Sequence, residues 1–131
     1  MMYALDTNSV IYFFKGLGKV PERVLSTAPR SLAIPAIVLY ELEVGIAKSS
    51  APARRRTQLG QLLTLLNVLP FGADEARVAA RIRAKLEMAG TPIGTPDTLI
   101  AGTAMRHGAT LVTRNLQEFR RVEGLALEDW Y

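Results

Sequence analysis

The sequence predicts an α/β fold, a three-layer α/β/α sandwich around a short, mainly parallel central sheet. Two observations point to it. Short apolar runs alternate with longer helical stretches along the whole chain, and those short runs are apolar on both faces, as strands are when helices cover a parallel sheet from either side. In sheets of this kind ligands collect beyond the carboxyl ends of the strands.

Taken in order, residues 3–6 read as a strand and 8–15 as a helix ending near Gly16-Leu17-Gly18. Tyr12, Phe13 and Phe14 give that helix more apolar positions than one buried face needs. Pro21 lies in the first turn of a second helix, 21–27, which stops before Pro29. Leu32 to Ile34 is a brief strand, and Pro35 opens a longer helix running to about Lys48. Ser49 to Pro52 is a turn, 53–66 is helical by the spacing of Leu59, Leu62, Leu63 and Leu66, and Val68 to Pro70 is a strand. Ala73 to Ala89 is strongly helical and closed by Gly90. After a loop at 91–95, Thr95-Pro96-Asp97 reads as N-cap, first-turn proline and first-turn acid of a helix continuing to His107 and ending at Gly108. Thr110 to Thr113 is a strand, Asn115 to Arg121 a short helix, and Ala126-Leu127 an edge strand.

The 131 residues suit a single domain, 1–131, with no repeat and no linker. No apolar run reaches membrane-spanning length, and the N-terminus lacks the features of a secretory signal, so a cytoplasmic protein with no membrane partner is expected. With no cysteine, disulfides, zinc–thiolate sites and iron–sulfur clusters are excluded. A single histidine, His107, excludes a ribonuclease built on a histidine acid–base pair; it suits the negative end of a helix dipole. The net charge of +4 favours a polyanion weakly, and Arg54-Arg55-Arg56 is the only basic triplet.

Three acids stand where apolar residues are expected. Asp6 separates the apolar runs 3–5 and 10–14. Glu41 interrupts a helical stripe of Ile34, Ile37, Val38 and Gly45, while Glu43 projects to nearly the opposite side. Asp97 heads a stripe of Ile100, Ala101, Ala104 and Met105. Each has a plainer reading: Glu41 at the border of a broad apolar face, Asp97 as a first-turn acid stabilising its helix. Spacing alone leaves both open. Taken together, three clustered carboxylates repel one another and lose solvation, and a hard divalent cation, Mg²⁺ or Mn²⁺, offsets both costs.

The segments LDTN at 5–8, YELEVGI at 40–46, PIGTPDTLIAGTA at 92–104, LVTRN at 111–115 and FRRVEGLALEDW at 119–130 resemble the PIN domain family, and within it the VapC-type toxins of bacterial toxin–antitoxin pairs. The resemblance implies a Mg²⁺- or Mn²⁺-dependent ribonuclease whose catalytic acids fall on Asp6, Glu41 and Asp97, with Asp6 and Asp97 as metal ligands. Asn115 stands where many PIN domains carry a fourth acid, and Glu118, one turn on, is placed to compensate only through water. Thr7, Asn8, Thr113 and Asn115 could bond the carboxylates or the scissile phosphate, or equally serve as local caps. Lys48 with Arg54, Arg55 and Arg56 would form a basic rim for RNA, or an ordinary solvated run. The resemblance further implies a homodimer and a small cognate antitoxin. The competing function is a non-catalytic RNA-binding or scaffold PIN domain, which loss of a triad acid would favour. A phosphoacceptor signalling domain would want adjacent acids after the first strand, and a haloacid-dehalogenase-type phosphatase a second acid at position 8; Thr7 and Asn8 stand there instead.

Overall fold

The computed structural model describes residues 1–131, and its sheet holds five strands: β1 (Tyr3–Leu5), β2 (Leu32–Pro35), β3 (Asn67–Leu69), β4 (Thr110–Val112) and β5 (Leu127–Glu128). Their order is β3-β2-β1-β4-β5 and every pairing is parallel. The helices are α1 (Thr7–Lys15), α2 (Val20–Ser26), α3 (Ala36–Ala47), α4 (Pro52–Leu63), α5 (Ala73–Met88), α6 (Thr95–Arg106) and α7 (Leu116–Phe119), with a 3₁₀ turn at Pro29–Ser31 that the sequence pattern did not signal. The chain winds outward from β1 in both directions, so the strand order reverses between β1 and β4. That is where an open α/β sheet forms its crevice.

The strands at the centre carry no polar face. Ala4, Leu5, Ala33, Ile34, Leu111 and Val112 have no exposed surface at all. Val10 of α1, Val38 of α3 and Ile100 of α6 close over them and are equally buried. Each fully buried aliphatic side chain of this size stabilises the fold by about 1.5–3 kcal/mol, which is why three-residue strands suffice.

Two details depart from the expected pattern. Helix α4 ends at Leu63, not at 66, because Thr64 turns the chain and its hydroxyl donates to the Gln61 carbonyl at 2.6 Å. Leu62 and Leu66 still reach the core, but across a turn. Helix α3 buries Val38, Leu42 and Ile46, so its inward stripe lies one position away from the one containing Glu41. The helix is apolar nearly all round, with Tyr40 and Val44 exposed, and its pattern therefore does not define a unique inner face.

The tightest helix contact joins α5 to α6. Gly102 is buried, and a Cβ placed there would stand 2.6 Å from the Cβ of Ala79 and 2.8 Å from its Cα. Glu75 fastens the same pair: it accepts from Gly72 N at 2.8 Å and pairs with His107 Nε2 at 2.9 Å. Gly102→Ala is expected to destabilise the protein by about 1–3 kcal/mol, because backbone must move to admit the methyl group. A lower urea midpoint with an unchanged slope is the check.

Candidate active site

β1 ends in the middle of the buried sheet, and the next residue is Asp6, only 7% exposed. Its backbone is extended and its amide donates to Val112 O at 3.1 Å, continuing the ladder to β4 for one more step. Its Oδ1 accepts from Ser9 N at 2.9 Å, so Asp6 itself caps α1. The cap therefore falls to neither Thr7 nor Asn8. Ser9, also buried, donates its hydroxyl to Val112 O at 3.1 Å. Burial pushes the Asp6 carboxyl above its usual range; hydrogen bonds from Thr113 and from the Ser9 amide pull it back only partly, and the charge of Glu41 pushes it further up.

Thr7, freed from capping, donates its hydroxyl to Glu41 Oε1 at 2.5 Å. This bond joins the start of α1 to the middle of α3 and holds Glu41, half-buried on the flank of its helix, toward the cleft. Glu43 faces elsewhere and pairs with Arg56 at 3.1 Å.

Asp97 lies in the first turn of α6, half-buried. The cap before that helix is Gly94, which has no side chain to contribute, and not Thr95. The carboxyl of Asp97 is pushed up to about 7, first by burial, then by its hydrogen bond to Glu118 and the charges of Glu118, Asp6 and Glu41. A first-turn acid normally gains from the helix dipole. Here the cost of burial, and then of the surrounding negative charge, exceeds that gain.

Glu118 is closer than sequence reasoning placed it. Its carboxyl stands beside that of Asp97, near enough for each to shift the other's pKa. Its Oε1 accepts from Gly94 N at 3.1 Å and its Oε2 from Asn115 Nδ2 at 2.7 Å. Burial raises its pKa, but these donors and the bond to Asp97 outweigh it and the net direction is down. Of the two carboxyls, Asp97 is therefore the one held up and Glu118 the one held down. The signal for Glu118 was its position three residues after Asn115 on a short helix, which puts the two side chains on one face. Thr113, fully buried, accepts from Asn115 N at 3.0 Å and fixes the turn that presents both. Asn8 is exposed and takes no side-chain bond to the acids.

The acids thus come from the ends or flanks of β1, α3, α6 and α7, all on the carboxyl edge of the sheet. No three of them stand close enough to close a metal cage by themselves. The donor set is entirely hard oxygen, part-buried and mutually repulsive, which fits Mg²⁺ or Mn²⁺ held through few carboxylates and several waters. On the α1–α3 side the cleft opens into a cavity of about 430 Å³ whose walls include Thr7, Glu41 and Arg55. Of the predicted basic rim, Arg55 lines this cavity, Arg56 is engaged with Glu43, and Lys48 and Arg54 are exposed without a carboxylate partner.

The sequence and fold are shared with known proteins. The PIN domain family matches residues 3–125. Ribonuclease VapC2 of Rickettsia felis is 36% identical over 99% of this chain and 98% of its own length. The tRNA(fMet)-specific endonuclease VapC of Salmonella typhimurium is 35% identical over the same shares. Among solved structures, VapBC2 from Rickettsia felis bound to a DNA fragment from their promoter superposes with a TM-score of 0.93, at 34% identity, over all of both chains. The chain belongs to the PIN domain family and, within it, to the VapC ribonucleases.

Proposed function

We infer that Asp6, Glu41 and Asp97, joined by Glu118, form the site at which this VapC ribonuclease, the toxin of a toxin–antitoxin pair, hydrolyses RNA phosphodiester bonds. The observation that carries the assignment is the convergence of four carboxylates from distant segments on one sheet edge, where burial first and then their mutual charge raise Asp97 to about 7. Structure alone gains nothing from such strain; a site that must hold a cation does.

Asp6 and Asp97 would hold Mg²⁺ or Mn²⁺, which when bound supplies the positive charge that offsets these carboxylates, acidifies water and stabilises charge on the phosphate. Glu41, its Oε1 fixed by Thr7, turns its other oxygen to the cleft and orients the attacking water. Thr113 and Ser9 keep Asp6 from rotating away. Gly94 N and Asn115 hold Glu118 against Asp97, so Asn115 acts by positioning an acid. The water oxygen forms the new P–O bond as it gives up a proton to solvent, the opposite P–O bond to ribose breaks in line, and the departing oxygen takes a proton from solvent. Lys48, Arg54 and Arg55 attract the RNA backbone without reading its sequence. One relative is named a tRNA(fMet)-specific endonuclease, so folded RNA with exposed loops is the substrate class to test first. A cytoplasmic homodimer restrained by a small antitoxin completes the proposal, supported by a solved relative that is a VapBC complex.

With purified protein, total RNA and Mg²⁺ or Mn²⁺, new 5′ ends are expected that EDTA abolishes. Asp6→Asn and Asp97→Asn should lower the rate by more than the ~10–100-fold typical of outer partners of a metal site, and Asn115→Ala by an amount within that range. Unchanged cleavage by Asp6→Asn would refute the assignment.

The raised pKa of Asp97 gives a second expectation. Its folded state binds the proton more tightly than the unfolded chain, so between about pH 4 and about pH 7 stability falls as pH rises. In EDTA the melting temperature should decline across that window, Asp97→Asn should flatten the decline, and Mn²⁺ should restore stability most at the upper end.

A further inference from the structure

The cavity beside Glu41 contains an oddity that the fold does not explain. Gly45 lies in the third turn of α3 with ordinary helical geometry, and a Cβ there would meet nothing within 4 Å. Gly102, by contrast, is required by Ala79. A mid-helix glycine weakens its helix; Gly60 in α4 is equally open, but of the two only Gly45 lines this cavity, where any larger side chain would project into the space. The space it keeps clear is the 430 Å³ cavity, within the range of sites that take small organic groups, about 300–1,000 Å³.

The lining states what fits. Ile11, Phe14, Ile46 and Leu59 give apolar and aromatic wall. Lys15 and Arg55 stand at the cavity, and neither pairs with a carboxylate. One wall is made of Thr7 and Glu41, so the cavity is continuous with the acid cleft. A flat apolar group attached to anions, one of which lies at the acids, is a nucleotide. We propose that this cavity receives one unstacked base of the RNA next to the scissile phosphate, against Phe14, with Lys15 and Arg55 on the adjoining phosphates. The proposal rests on the ribonuclease reading and adds to it a base-binding pocket that Gly45 holds open.

Gly45→Leu fills the pocket and replaces a weak helix former by a strong one, so its melting temperature should equal or exceed the parent's; Gly45→Met is a second filler. Both are compared with the parent on an oligoribonucleotide that the protein cleaves and on copies carrying a single abasic ribonucleotide at each position flanking the cut. In the parent, one abasic position should lower kcat/KM by about 5–100-fold. In the fillers, the intact substrate should fall by a similar factor, while the abasic copy is cut as fast as by the parent. A binding readout without metal accompanies this: a set of oligoribonucleotides carrying 2-aminopurine at each position in turn, titrated in EDTA, should include one whose fluorescence changes with the parent and not with Gly45→Leu. Should the parent cleave nothing, the ribonuclease assignment to these acids fails, and the 2-aminopurine titration still decides the pocket. The pocket proposal is overturned if the fillers keep the parent's ratio between intact and abasic substrates, if the 2-aminopurine signal survives filling, or if filling abolishes only the binding of a co-expressed antitoxin.

Discussion

A carboxylate has to be kept ionisable at the point where a buried parallel sheet stops. That constraint fixes more of this molecule than any single hydrophobic contact. Asp6 is 7% exposed, and an acid so placed is tolerable only with donors arranged around it. Two come from close by: the amide of Ser9, and the hydroxyl of Thr113 on the neighbouring strand end. Meeting that need sets the start of α1, ties the end of β1 to that of β4, and places the rest of the LVTRN segment, including Asn115, at the rim. Local structure near the site is thus largely the answer to one desolvation cost.

The other acids share the cost unevenly. Glu41 has a hydroxyl of its own, and Glu118 has an amide and a backbone N–H. Asp97 has no such donor and is the one whose proton is held most firmly, near neutrality. The arrangement puts the burden of excess negative charge on a single residue at the mouth of the cleft, where a cation or a proton can relieve it. The remaining acids keep their own donors in either case.

Much of this could be read from residues alone, and the failures have physical causes. Alternation of apolar runs with helical stretches was enough for the layered parallel sheet, because strands buried on both faces leave little else for the chain to do. Asp6 and Asp97 stood out since each breaks an apolar context. Glu41 was left open by its stripe and chosen by the family resemblance; the stripe is one position off, because α3 is apolar on nearly every side and periodicity could not locate its inner face, and the side chain lies on the flank, held by Thr7. The capping of α1 was assigned to the wrong residues because Thr and Asn are common caps, whereas an aspartate that also ends a strand does both tasks here. Glu118 was undervalued because its link to Asp97 runs between segments far apart in sequence, and only the fold brings them together. The 3₁₀ turn and the early end of α4 depend on local hydroxyl and backbone bonds that composition does not reveal.

The strand order has a consequence in time. β1 pairs with β4 through Tyr3 and Thr110, so the first and last parts of the cleft are separated by almost the whole polypeptide. A ribosome has released Asp6 and Glu41 long before it adds Thr113 and Glu118. Until then the early acids have no completed partner set and Asp6 lacks one of its donors. Long-range parallel pairing is also slow to form. A growing chain therefore carries its early acids without their partners until the segment from Thr110 to Glu118 has been made and docked.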